Sequence, residues 1–343
     1  MHSIRRISKR LSRSFSSSIS NLRGLYTSEI SDVEGGEAKT DSEVEVIDLP
    51  QECIECHKQC DHLQLPETMQ KKIDNDTVLS TTLLPYSRHI LVSTARNSCT
   101  VWPSHTSKIH ENSIIRKIEA EISKIESTYR TVLTMIDRNP NDDSWGFLSE
   151  ETKKPEQQFL DDLNETEIFV LPDMIRTSVT KDNCSEVLNE IYKIKPSVGS
   201  YNLNVKNNDD IEKITEAMGN VELIKNCDAK YGTKFKSIIL ICAHLKRDKR
   251  CAVAYDILLQ EFEKELKRKN LEKDVLVYGC SHIGGHKFAG NVIIYPQGDW
   301  YGRVKTCHIN ILIEEAILNQ KIVKDLWRGR VGIENEPKPC ITW

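Results

Sequence analysis

The chain has 343 residues, 38% apolar and 29% charged, with a formal net charge of −4. Those fractions fit a soluble globular protein of one large or two ordinary domains, and no apolar run approaches the roughly 18 residues of a membrane-spanning helix. Six Lys/Arg and no acid fall in residues 1–28, so the remaining chain is more acidic than the total, which argues against nucleic acid as a partner.

In residues 1–28, Ile4, Ile7, Leu11, Phe15, Ile19 and Leu22 recur at helical spacing, with Arg5, Arg6, Lys9, Arg10 and Arg13 around that stripe. A basic, serine-rich, amphipathic start has the composition of a mitochondrial transit peptide; the plainer reading is a basic tail. Residues 29–48 are acidic and contain glycine, so 1–48 reads as transit peptide and linker. Cys53, Cys56 and Cys60 then form C-x2-C-x3-C, with His57 and His62 beside them. Three readings stay open there: zinc with one histidine as fourth ligand, a redox-active thiol group, or thiols without metal. Eleven cysteines without a secretory signal favour metal or thiol chemistry in a reducing compartment over a disulfide scaffold.

Residues 49–195 read as an α/β region. His89–Thr94 is a strand and Ala95–Pro103 a loop that carries Cys99 and Trp102-Pro103. From Ser113 to Ile136, Ile114, Ile115, Ile118, Ile122, Ile125, Tyr129, Val132 and Leu133 fall on one helical face and predict a single long helix, ended by Asn139-Pro140. Glu167–Leu171 is a short strand closed by Pro172, and Cys184–Ile194 is a helix with Val187, Leu188, Ile191 and Tyr192 inward. Polar residues 196–235 read as a linker.

From Lys236 the pattern tightens. Ile238–Ile241 is the continuous apolar run of a buried central strand. Cys251–Lys269 is a helix with Ala254, Leu258, Phe262 and Leu266 four apart and its bases late, as the helix dipole favours. Val275–Tyr278, Val292–Tyr295 and Trp300–Val304 are strands, Pro296-Gln-Gly-Asp299 is a turn, and Ile309–Ile317 forms the inner face of a last helix. The order β-α-β-β-α is that of a thioredoxin-like half. The expected fold class is therefore α/β: a thioredoxin-like domain over 236–343, preceded by a smaller α/β region, with 85–195 as a candidate degraded relative of it.

Chemistry concentrates in the same stretch. Cys242 and Cys251 are separated by AHLKRDKR, and His282 and His286 by Ile283-Gly284-Gly285. Two thiolates and two imidazoles suit either zinc or a [2Fe-2S] cluster. Zinc knuckles hold their cysteines two to four residues apart, whereas an eight-residue loop can wrap a larger object, with Lys246, Arg247, Lys249 and Arg250 offsetting its charge. Gly284-Gly285 disfavours a helix between the histidines and lets both rings turn to one iron. The plain alternative is two core thiols and two loop histidines.

The residues C-A-H-L-K-R-D-K-R-C, then S-H-I-G-G-H-K-F-A-G-N-V-I-I-Y-P and W-Y-G-R-V, resemble the sucrase/ferredoxin-like family of fungi and plants over residues 237–304. The Cys53, Cys56 and Cys60 group, Trp102-Pro103 and Trp327-Arg328-Gly329 are similar to that family's flanking features. The resemblance implies a thioredoxin-like [2Fe-2S] protein with Cys242, Cys251, His282 and His286 as ligands, working as an electron carrier or thiol-redox protein. It leaves Cys280 and Cys307 as packed thiols and His244 as a residue that shapes the loop. No glycine-rich dinucleotide fingerprint is present, so the expected electron donor and acceptor are other proteins. A thiol-disulfide oxidoreductase using Cys53, Cys56 and Cys60 and a zinc-stabilised adaptor are the alternatives; no acid pair supports glycoside hydrolysis. Mitochondria are the expected location, with the cytosol as alternative, because Ile341-Thr342-Trp343 resembles the tail of some cytosolic iron-sulfur clients.

Overall fold

Strand Arg88–Ser93 (β1) leads through helix Ile114–Lys124 (α1) to strand Thr131–Ile136 (β2), then to strands Glu165–Leu171 (β3) and Ile175–Thr180 (β4) and helix Cys184–Lys193 (α2). The same series then repeats: Ser237–Cys242 (β5), Lys249–Arg268 (α3), Val275–Cys280 (β6), Val292–Tyr295 (β7), Asp299–Tyr301 (β8), and a helix (α4) that begins at Ile309–Ile311 and widens into a π-helical stretch over Leu312–Leu318. Trp327–Arg330 (β9) pairs with β8. This computed structural model describes residues 44–50, 64–84, 86–94, 98–125, 130–138, 157–193, 222–223, 237–331 and 341–342. The basic segment 1–28, Cys53, Cys56, Cys60 and almost all of 196–235 lie outside the described residues.

In each half the first two strands are parallel neighbours, the third pairs antiparallel with the first, and the fourth antiparallel with the third. That is the thioredoxin order, and it occurs twice. The stretch from 85 to 195 therefore repeats the C-terminal topology, although the two halves share little sequence. Even the turns correspond: Leu171-Pro172-Asp173-Met174 and Tyr295-Pro296-Gln297-Gly298 each place proline second and a left-handed residue fourth, at φ 55° and 73°.

The halves join edge to edge. Ile136 of β2 faces Cys280 of β6 in antiparallel register. On either side of that pair, Asp137 N–H donates to Gly279 O at 2.9 Å and Ser281 N–H to Met135 O at 2.8 Å. One sheet thus runs β9-β8-β7-β5-β6-β2-β1-β3-β4 and continues to the short strand Glu222–Leu223, paired with β4. The backbone of Ile341–Thr342 also pairs with β2, at Val132 and Leu133.

All six residues of β1 and of β5 are buried, which is why these stretches read as unbroken apolar runs rather than alternations. Successive side chains still leave on opposite faces. Ile239 and Ile241 pack with Ala254, Leu258 and Phe262 of α3, while Ile238, Leu240 and Cys242 face Tyr86, Tyr295 and Trp300. Asp248 caps α3, its carboxylate accepting Arg250 N–H at 2.9 Å.

Two expectations on secondary structure are corrected, and one strand is added. The helix expected from Ser113 to Ile136 stops at Lys124, and Val132 and Leu133 belong to β2. A strand buried on both faces has no two-residue period to announce it, so its apolar residues simply extended the helical stripe. Strand β4 was not expected, although Ile175, Thr177, Val179 and Thr180 are β-branched. The strand expected over Trp300–Val304 is Asp299–Tyr301, because Gly302 turns to donate its N–H to Leu326 O at 2.8 Å.

Candidate metal centre

Cys242 ends β5, where its N–H donates to Asn291 O at 3.0 Å. The loop that follows folds back through Arg247 N–H and Asp248 N–H, both donating to His244 O, at 3.2 and 3.1 Å. That reversal sets Cys251, in the first turn of α3, against Cys242. Both thiols are buried, and they hydrogen-bond each other. The Cys242 sulfur also accepts from the His282 ring and the Ile283 N–H. The Cys251 contact, then His282, hold the Cys242 thiol well below the ordinary thiol range, and the same contact pushes Cys251 up.

His282 leaves β6 by two residues and is buried, while His286 is exposed. Their rings lie 5.6 Å apart with planes at 36°. The structure therefore brings Cys242, Cys251, His282 and His286 to one place, thiols inward and one imidazole toward solvent. Among the described residues, no group of three or more His, Cys, Asp or Glu closes around a single metal ion.

The Gly284-Gly285 pair does more than loosen the loop. Both residues are left-handed, at φ 86° and 71°. A Cβ on Gly285 would stand 2.4 Å from Nη2 of Arg328, so the loop lies directly on a buried guanidinium. That arginine is on β9, more than forty positions away in sequence, and local motif reading gave no sign of its place.

His244 clamps the loop from the other side. Its Nδ1 accepts the His282 N–H at 3.0 Å, which leaves Nε2 to donate to Pro103 O at 3.0 Å. Burial lowers its pKa to about 4, so the ring is neutral and both its bonds are kept. Trp102 stands edge-on to it at 6.0 Å. The Trp102-Pro103 segment of the first half thus positions a histidine of the second, and His244 shapes the loop as expected.

The loop cations also tie the loop down, while the charge of Arg250 acts on the Cys251 thiol. Lys246 Nζ donates to Val101 O at 3.1 Å, and Arg247 Nη1 to Ser104 O at 3.3 Å, docking the loop on the first half. Arg250 pairs with Asp248 at 2.8 Å. Cys280 is buried and opposite Cys242 on the neighbouring strand. Cys307 is half-buried and lines a cavity of about 210 Å³ with Ala254, Leu258 and Arg303. In the first half, the positions matching Cys242 and His282 are Ser93 and Arg138, and Arg138 pairs with Glu167.

The sucrase/ferredoxin-like family model matches residues 79–329. The chain belongs to this family. The matched span of this sucrase/ferredoxin-like chain runs from ahead of β1 into β9, so it takes in both halves and Arg328. Altered inheritance of mitochondria protein 32 of Debaryomyces hansenii is 41% identical over 112 residues, 31% of this chain and 40% of that protein. Its namesake in Clavispora lusitaniae is 43% identical over 98 residues, 28% of this chain and 35% of that one. Actin patches distal protein 1 of Saccharomyces cerevisiae is 30% identical over 122 residues, 32% of this chain and 36% of that one. Each alignment thus spans less than half of the relative. The solved thioredoxin-like [2Fe-2S] ferredoxin of Aquifex aeolicus aligns over 28% of this chain and 99% of its own, at 16% identity and a TM-score of 0.25.

Proposed function

We propose that this chain is an electron-transfer protein in which Cys242, Cys251, His282 and His286 hold a [2Fe-2S] cluster. The observation that carries this is the meeting of two buried, mutually bonded thiols with two imidazoles at the ends of β5 and β6. The donor set fits the group. Cys242 is already biased toward thiolate, the Ile283 N–H supplies a hydrogen bond to its sulfur, and four ligands spread over two irons need not enclose one ion. When bound, such a cluster supplies a one-electron couple, at higher potential than all-cysteine clusters because two ligands are neutral.

The chain's own residues set the direction of exchange. The thiols and His282 are closed off from water, and of the four His286 alone reaches the surface, next to the exposed Lys287 and within the field of Asp248, Arg250 and Arg247. Electrons therefore enter and leave at the His286 end, to and from protein partners. Purified protein is expected to be red-brown, with about two irons and two labile sulfides per chain by cluster stoichiometry. Its dithionite-reduced EPR spectrum should show a low average g value. A colourless protein carrying one zinc would falsify the reading.

A mitochondrial location is part of the proposal. It is supported by the basic amphipathic residues 1–28 and by relatives named for the inheritance of mitochondria. A reporter fused to residues 1–28 should be imported; a cytosolic reporter overturns the location.

A further inference from the structure

We infer that Arg328 is a fixed positive charge that raises the reduction potential of this centre by favouring its reduced state; the inference rests on the cluster reading above. Arg328 is buried, and its partners are neutral. Nη1 donates to Asn291 Oδ1 at 2.7 Å and to Gly284 O at 3.5 Å. Nε donates to Thr82 Oγ1 at 3.0 Å, and Nη2 to Thr82 O at 3.4 Å. The guanidinium lies 5.2 Å from the centre of the Phe288 ring and 5.5 Å from that of Trp300.

Among the described residues, no carboxylate pairs with it. The contrast within the chain is plain: Arg88 has Asp173, Arg138 and Arg176 have Glu167, and Arg330 has Asp299. A buried cation is costly unless an anion offsets it. The ionisable groups whose charge acts on Arg328 are Cys242 and Cys251, so the negative charge that would offset it lies at these thiols and is greatest when the centre they would hold is reduced. The contact with Gly285, which has no room for a Cβ, fixes the distance between the cation and the ligand loop.

The sign follows from charge counting. Two ferric ions balance two sulfides and two thiolates, and the imidazoles are neutral, so the oxidised centre is formally neutral. One electron from a protein donor makes it an anion. A nearby cation stabilises the anion more than the neutral form, most strongly in a low-dielectric setting. Arg328 thus acts on the potential without touching the reacting atoms, as a positioning and tuning residue.

The test is a mediated redox titration of the full, cluster-loaded chain and three variants. Arg328→Gln removes the charge. Arg328→Lys keeps it. Asn291→Asp keeps Arg328 but sets a carboxylate against it, at the loss of the Asn291 Nδ2 bond to Gly285 O, 2.9 Å long. Arg328→Gln and Asn291→Asp should each shift the reduction equilibrium about tenfold toward the oxidised form, a fall of about 59 mV for one electron. Arg328→Lys should stay closer to the wild type than either. Unmoved potentials in both charge-cancelling variants overturn the inference, as does an equal fall in Arg328→Lys and Arg328→Gln, which would make the role one of packing. If Arg328→Gln does not fold, Asn291→Asp decides alone. Iron and sulfide analysis of the wild type separates the two levels. A chain without a cluster removes the functional reading and this inference together, and a loaded chain with unmoved potentials removes only this one.

Discussion

Cys242→Ser is expected to give a folded chain that retains almost no iron. The hydroxyl that replaces the thiol does not ionise near neutral pH, so the innermost donor of the set is lost. The fold should survive because the chain already contains the control: Ser93 occupies the matching position at the end of β1, fully buried. Cys251→Ser should behave the same way. Cys280→Ser should keep its iron, since that thiol belongs to the neighbouring strand and is no ligand in the proposed set. Iron and sulfide per chain, read beside a circular-dichroism melt, check all three. Full iron in Cys242→Ser, or its loss in Cys280→Ser alone, would move the ligand set elsewhere.

Trp102→Ala should cost about 3–5 kcal/mol of stability, the usual range for deleting a large buried aromatic. Trp102 is fully buried and donates its indole N–H to Thr94 Oγ1 at 3.2 Å. The loss should reach beyond stability. The tryptophan backs His244, and His244 holds the His282 N–H, so the ligand loop loses a support. Phe262→Ala in α3 is the comparison: equally buried, of similar cost, and packed in the helix-side core. Trp102→Ala should therefore release iron faster than Phe262→Ala under the same conditions. Equal release rates would show that the first half contributes only general stability to the centre.

Much of the second half was legible because its elements are short and sharply bounded. The unbroken apolar run Ile238–Ile241, and Ala254, Leu258, Phe262 and Leu266 at four-residue spacing, leave little choice of structure. Cys242, Cys251, His282 and His286 stand out in the sequence by their spacing, and their side chains lie together in the fold. What local reading missed depends on long-range contact. β2 was absorbed into a helix because it is apolar on both faces. The repetition of the fold is faint in the sequence, since topology is preserved where the side chains are not: Ser93 and Arg138 give no hint that they match Cys242 and His282. In the sequence Arg328 stands out only as part of Trp327-Arg328-Gly329, because the two glycines that meet its guanidinium lie on another element. The loop cations also bond nearby carbonyls and a carboxylate, as Lys246, Arg247 and Arg250 do, while the charge of Arg250 acts on the Cys251 thiol.

The seam between the halves has the form of a subunit interface. Ile136 and Cys280 meet as equivalent strands of two identical subunits meet about a twofold axis, each edge completing the other. The chain is in this sense a covalent dimer, in which the second half carries Cys242 and His282 where the first carries Ser93 and Arg138. A C-terminal half severed between α2 and β5 would bare the β6 edge, with its amides and carbonyls unpaired, and such an edge seeks a second copy of itself. Expressed alone it should self-associate along that strand, re-forming from two chains the join that the intact protein makes within one.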